Sequence, residues 1–289
     1  MALRNLVDVE TIAGSFNSGL DHPEGITWGP DGYIYAGGED GQIYQVNPTN
    51  GEFTEIASHH GFLGGVACDA LANVYVCAPS SGSVVRTSTD GSVVEVTTGT
   101  IDRPMETPNY PCFHPSGALY ISDSGEWGDG TGRIYRVSPE GTTDLVSEAP
   151  KFFANGMCFD ANAKWLYVVE SQLPGVSRLR VEADGILGER QVVATLPGDV
   201  PDGIQLDVSG NLFITLYAPS RVYQQQPDGR IEVFVDDPHH TQLASPTNIA
   251  FGGPSHTDLF LASLGRWHIS RIRMETPGLA LNYPTPIAL

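Results

Sequence analysis

Residues Val200–Leu216 read VPDGIQLDVSGNLFITL. An Asp-Gly pair opens the stretch, the short apolar run IQL follows, DVSGN makes a turn cluster, and LFITL resumes with β-branched and aromatic residues. This is the pattern of two short strands joined by a tight turn, because Asp, Ser, Gly and Asn close turns and branched residues suit a pleated surface. The layout recurs along the chain, in HPEGITWGPDGYIYAGG from His22, FLGGVACDALANVYVCA from Phe62 and TPNYPCFHPSGALYISD from Thr107. It returns in FANGMCFDANAKWLYVVE from Phe153 and SPTNIAFGGPSHTDLFLAS from Ser245. Most units continue with two further strand-like runs, such as GQIYQV then EFTEIA, or RIYRV then TTDLVS.

The opening positions of the six units are Glu24, Gly64, Asn109, Asn155, Asp202 and Asn248, spaced by 40, 45, 46, 47 and 46 residues. A period of about 40–50 with four short strands per unit defines propeller blades. The expectation is therefore an all-β chain, a six-bladed β-propeller of four antiparallel strands per blade, with residues 1–289 as a single domain. The run VDVETIA within Asn5–Ser15 is expected to join the last blade and close the ring, since an unpaired edge strand invites aggregation. The tail from Leu279 is too short for another blade.

Composition supports this and narrows the function. The chain has 289 residues, 33 Gly and 21 Pro, with only 17% charged residues, which suits many strands and turns better than long surface helices. Lys and Arg number 15 against 34 Asp and Glu, a net charge of −19, which repels phosphate backbones and argues against a nucleic-acid partner. No apolar run has the length of a membrane span, and the start, MALRNLVDVE, lacks an apolar signal core, so a cytoplasmic protein without a membrane partner is expected. Cys68, Cys77, Cys112 and Cys158 sit in strand-like contexts without metal spacing and read as reduced, buried thiols. Neither a Gly-x-Ser-x-Gly elbow nor a phosphate-binding glycine loop is present. The sequence leaves the oligomeric state open.

In a propeller the first strand of each blade lines the channel, so the six opening residues gather at one mouth. That ring carries two carboxylates, three carboxamides and one glycine. Oxygen-only donors suit calcium first and magnesium or manganese next; zinc, which prefers imidazole or thiolate, stands last among the candidates. The competing reading for any one of these residues is a turn cap. Gly25, Gly65, Gly156 and Gly203 follow the ring residue in four blades and permit close backbone approach.

The runs PEGITW, TPNYPCFHPSG, ANGMCFD, PDGIQLDVSGNLF and PTNIAFGG together resemble the senescence marker protein, gluconolactonase and luciferin-regenerating enzyme family, over roughly Leu20 to Ile272. The resemblance implies a six-bladed propeller with a divalent cation at the channel mouth and, in many members, lactone hydrolysis. It assigns Glu24, Asn155 and Asp202 to the metal, Asp202 also to the general base, and Asn109 to the substrate. Thr107 stands where sugar-lactone members often carry Arg, and Tyr110 where they often carry Asp. The metal motif is thus kept while the groups that read sugar hydroxyls are changed, which points to a lactone or ester less polar than a sugar lactone.

Further candidates come from the loops. In DSGEWGDGTGR, Asp123–Arg133, Trp127 reads as an apolar wall, and a loop glutamate of the family falls at Glu126 or Trp127. His22, two residues before Glu24, is a pocket candidate alongside Thr107. Asp123, Glu170 and Ser263 end second strands, where the first two are either ligands or turn caps; Asn248 is either a ring member or a turn residue. His59–His60, His239–His240, Trp267 and His268 are either entrance residues or ordinary loop and strand-end groups. The function expected is a metal-dependent lactonase acting on a small lactone or ester. The alternatives are a related enzyme, such as a phosphotriesterase or one performing a synthetic step in secondary metabolism, or a non-catalytic binding scaffold.

Overall fold

The computed structural model describes residues 3–15, 18–88 and 90–289. Six four-stranded antiparallel sheets account for nearly all of its regular structure, and the described residues contain no α-helix. Blade 1 comprises Ile26–Trp28, Ile34–Gly37, Gln42–Val46 and Phe53–Ser58; blade 2 comprises Val66–Cys68, Val74–Ala78, Ser83–Thr87 and Val93–Thr97. Blade 3 runs through Pro108–Phe113, Leu119–Asp123, Arg133–Val137 and Thr143–Ser147, and blade 4 through Ala154–Phe159, Trp165–Glu170, Gly175–Val181 and Leu187–Thr195. Blade 5 has Val200–Leu206, Leu212–Ala218, Arg221–Gln225 and Ile231–Asp236. Blade 6 has Pro246–Gly252, Asp258–Ser263 and His268–Arg273, and takes its fourth strand from the start of the chain. Val9–Gly14 pairs there antiparallel with His268–Arg273, which closes the ring as the sequence led us to expect.

The hairpins inside the blades follow from local chemistry. Asp69 accepts hydrogen bonds from the backbone N–H groups of Leu71 and Asn73 and from the Asn73 carboxamide. Asp207 does the same for Ser209 and Asn211. A short acidic side chain thus satisfies turn donors that the ladder cannot reach.

The first strands touch one another in cyclic order, with blade 6 returning to blade 1. Each interface between adjacent blades holds its own apolar cluster. Tyr75, Phe113 and Tyr135 fill the space between blades 2 and 3, and Phe213, Phe234 and Phe251 that between blades 5 and 6. Near the axis there is no room for side chains between strands: a methyl group on Gly156 would lie 2.6 Å from the Asp202 carbonyl oxygen and 2.7 Å from the Gly203 Cα. The glycines after the ring residues therefore serve backbone packing.

The segment after blade 6 is a strap across the face opposite the ring. The Leu279 N–H donates to Leu206, Asn282 to the Phe113 carbonyl, Tyr283 to the Trp28 carbonyl, and Ala288 to Pro139. Ile287 is buried in the cluster between blades 2 and 3. The tail is too short for a blade, and it ties four blades together. Replacing Ile287 with Ala is expected to cost about 2–5 kcal/mol by leaving a cavity in that cluster. Urea denaturation measures it, and a loss below about 0.5 kcal/mol would mean that the strap only rests on the surface.

Candidate functional site

The ring residues reach the axis because the ladder is interrupted where they stand. Pairing slips between Pro108 and Tyr110, between Ala154 and Met157, between Pro201 and Ile204, and between Pro246 and Ile249. In blades 1 and 2 the ladder starts at Ile26 and Val66, after Glu24 and Gly64. A bulge releases a residue from the alternation of faces and re-aims its side chain. Hydroxyls then fix the first strands against each other. Ser124 donates to the Ala154 carbonyl, Ser171 to Pro201, Thr215 to Thr247, and Thr247 to Glu24, at 2.6–2.8 Å.

A cavity of about 220 Å³ opens above the ring. Its polar floor contains Glu24, Asn109, Asn155 and Asp202 with Ser171 and Thr247; its wall is formed by Phe62, Trp127, Phe153, Val200, Tyr217 and Leu264. Among the described residues no cationic side chain lines it. Glu24, Asn155, Asp202 and Asn248 are all buried. Glu24 Oε2, Asn109 Oδ1, Asn155 Oδ1, Asp202 Oδ1 and Asn248 Oδ1 are buried yet accept no hydrogen bond. The Asn155 amide nitrogen donates to Ser171 Oγ at 3.2 Å, leaving its oxygen free.

Burial, then the nearby Asp202 charge, holds Glu24 well above the ordinary carboxylate range, with the Asn248 carboxamide acting the other way. Burial pushes Asp202 up to about 7, against the opposing effect of Asn155. Unpartnered buried oxygens are costly, and two adjacent carboxylates more so. A hard cation is the partner whose chemistry answers this donor set, so the residues present fit a divalent metal.

Other candidates fall elsewhere. Asp123 is fully buried and accepts the backbone N–H groups of Glu106 and Thr107 at 3.0 and 2.6 Å, with Arg133 Nε at 3.7 Å. Glu170, also fully buried, accepts the Phe152 N–H, the Ser177 hydroxyl and Arg190 Nε. Both carboxylates hold loops in place. Thr107 is outside the cavity lining and spends its backbone on Asp123 and Ser124. His22 also lies outside the lining; its Nδ1 is 2.6 Å from Asp21 and 2.8 Å from Glu39, and its ring rests on Trp267. These three ligand-type groups form a partly exposed cluster of their own. His240 bonds Ser220, His59 bonds Ser81, and buried His268 bonds the Gln242 carbonyl. Glu126 is exposed, and the Ser263 hydroxyl is buried without a partner. The four cysteines are free, and all but partly buried Cys112 are fully buried.

Trp127 meets Phe153 edge-on at 5.0 Å. Phe153 occupies the left-handed region at φ 61°, a conformation that bulky residues rarely adopt. Its backbone is held by the Ser171 and Gln172 N–H groups, which donate to the Phe153 and Phe152 carbonyls. Phe62, Phe153, Val200, Tyr217 and Leu264 were not singled out from sequence. The repeat register marks the ring, whereas these wall residues stand in loops and strand ends of different lengths.

An all-β propeller with an oxygen-only cage at its axis is the class that fold and site define. The family model described as SMP-30/Gluconolactonase/LRE-like region matches residues 95–265, and the chain belongs to that family. A second model, Strictosidine synthase-like, N-terminal, matches residues 5–46. Lactonase drp35 of Staphylococcus aureus is 24% identical over 200 residues, 63% of this chain and 59% of that protein. An uncharacterized protein of Sulfolobus acidocaldarius is 26% identical over 162 residues, 54% of this chain and 51% of the relative. These matches thus span between half and three-fifths of the curated relatives' length. Among solved structures, the gluconolactonase XC5397 of Xanthomonas campestris superposes with a TM-score of 0.77 at 19% identity, covering 93% of this chain and 89% of that one. The calcium-binding protein regucalcin of Agrobacterium tumefaciens gives 0.73 at 19% identity, covering 100% and 98%. Both share the fold.

The shifted carboxylates make a pH test. Asp202 and Glu24 ordinarily titrate near 3.8 and 4.5, and both are raised in the folded chain. Their protonated forms therefore favour folding below about pH 4, and that contribution is lost as pH rises through about 7. In chelator, the melting temperature of the wild type should fall more between pH 4 and 7 than that of Asp202→Asn, and calcium should restore it at pH 7. Equal pH slopes in the two proteins would refute the shift.

Proposed function

We propose that this chain is a divalent-metal-dependent hydrolase that opens a lactone or related ester, with calcium as the favoured ion. The observation that carries this reading is the set of buried side-chain oxygens, from five blades, that converge at the axis without a hydrogen-bond donor. The family, and the relatives named lactonase and gluconolactonase, support the same chemistry.

In this reading Glu24, Asn155 and Asp202 hold the ion. Bound there, a divalent cation would polarise the carbonyl and stabilise the negative charge that develops as water adds. Asp202 is the carboxylate placed to orient the attacking water and accept its proton. Asn155 keeps its oxygen inward because Ser171 occupies its nitrogen. Asn109 contacts the substrate beside the ion. Trp127 and Phe153 cover the apolar part of the substrate and exclude bulk water.

The wall also speaks to the substrate. Apart from the floor, Tyr217 is, among the described residues, the only one of the wall with a side-chain hydroxyl, and Ser171 and Thr247 already donate to carbonyls. A polyhydroxylated lactone would lose its hydrogen bonds to water and find few replacements. A simple sugar lactone is therefore disfavoured against an alkyl or aryl one.

The tests are direct. Asp202→Ala and Glu24→Gln should each lower kcat/KM by about 10²–10³-fold and weaken calcium binding in calorimetry. Full turnover after exhaustive chelation would remove the metal from the mechanism. Trp127→Ala should raise KM roughly 3–10-fold with little change in kcat, as loss of one aromatic contact predicts. An unchanged KM across sugar, alkyl and aryl lactones would take Trp127 out of the pocket.

A further inference from the structure

A second cavity, of about 360 Å³, lies on the far side of the ring. It is lined by Thr27, Cys112, Cys158 and Gln205, which stand three residues beyond the ring positions of blades 1, 3, 4 and 5. Tail residues Leu279–Tyr283 also line it. Among the described residues none lines both cavities: Asn109 belongs to the upper one and its neighbour Tyr110 to the lower.

Tyr110 stands one residue below the ring, where blades 1, 2, 4 and 5 carry glycine. Its side chain is buried. A methyl on Gly65 of blade 2 would come within 2.4 Å of its Cδ2, while its phenol lies among Cys112, Cys158 and Gln205 of blades 3, 4 and 5. The side chain thus lies near residues of four blades at the head of the lower cavity, and it also joins the apolar cluster between blades 3 and 4.

We propose that Tyr110 is a septum that closes the underside of the metal cage, so that every open coordination position of the ion faces the substrate mouth. This rests on the cation reading of the ring. Water in the lower cavity is then kept from the ion, and the two carboxylates act in a drier, lower-dielectric setting that strengthens their hold. The attacking water can be recruited only on the side where the substrate enters. Tyr110 is in this sense a positioning residue, acting through the ion's hydration.

Lanthanide luminescence reads this without turnover. Eu³⁺ is a hard ion served by the same oxygen donors, and its decay in H₂O and D₂O counts the waters bound to it. Tyr110→Gly, which installs the residue that four other blades carry, should gain about one bound water relative to wild type. Tyr110→Phe keeps the ring and should match wild type. Tyr110→Ser serves as a second opening variant should the glycine form fail to melt cooperatively, and the same gain is expected. An unchanged count in a folded, Eu³⁺-loaded opening variant overturns the septum while leaving the cage intact. Failure of wild type to hold Eu³⁺, or undiminished binding in Asp202→Ala, overturns the cage reading and the septum with it.

Discussion

Two carboxylates buried side by side, with no cationic side chain among the described residues that line their cavity, cannot both stay charged unless something positive joins them. Glu24 and Asp202 are in that position, and burial moves both toward the protonated form. A protein core normally removes such a conflict by pairing or by replacement with apolar residues. Here the surroundings maintain it: Ser171 takes the nitrogen of Asn155, and the Thr247 hydroxyl is committed to the Glu24 carbonyl rather than its carboxylate. The hydroxyl donors near the cage are thus spent on backbone carbonyls, and the Asn155 oxygen is left without a donor.

The rest of the fold can be understood as the apparatus that holds this arrangement. Bulges in blades 3 to 6 turn the ring residues toward the axis, and the glycine that follows the ring position in blades 1, 2, 4 and 5 lets adjacent strands approach until a methyl group would not fit. The interface clusters fix the blades radially, the hydroxyl-to-carbonyl bonds fix them near the axis, and the tail binds the opposite face. Asp123 and Glu170 are part of this support. Each is buried and paired with backbone N–H donors or a hydroxyl and with an arginine, so its charge has a cationic partner where Glu24 and Asp202 have none among the described residues lining their cavity.

The blade repeat and the ring were legible because both depend on period. Turn residues recur at fixed offsets, and a symmetric fold converts a repeated sequence position into a shared spatial one. That is why Glu24, Asn155 and Asp202 could be picked out, and why the closing strand at Val9–Gly14 could be anticipated. Loop geometry has no such period. Thr107 and His22 are near the ring in sequence, yet hydrogen bonds with Asp123, Asp21 and Glu39 hold them outside the cavity lining. Phe153 depends on a left-handed backbone that only the completed loop supports, and Tyr217 on the path of a strand end. Tyr110 was visible as a departure from the family pattern, but its packing depends on the space left by Gly65 of the neighbouring blade.

The division of the cavity into an oxygen floor and an apolar wall has a consequence for catalysis. Charge that develops on a carbonyl oxygen is best stabilised where competing water is absent and the stabilising groups are already oriented. An apolar wall flanks the site above the ring, and in the arrangement we propose a tyrosine keeps water from it below. The floor then needs no mobile parts: its oxygens stand at the first strands of five blades, and no first strand can shift singly without breaking contact with both neighbours. Preorganisation of this kind costs folding stability in the metal-free chain, because unpartnered oxygens stay buried. Binding of a cation would return that energy, which couples the integrity of the site to the presence of the ion.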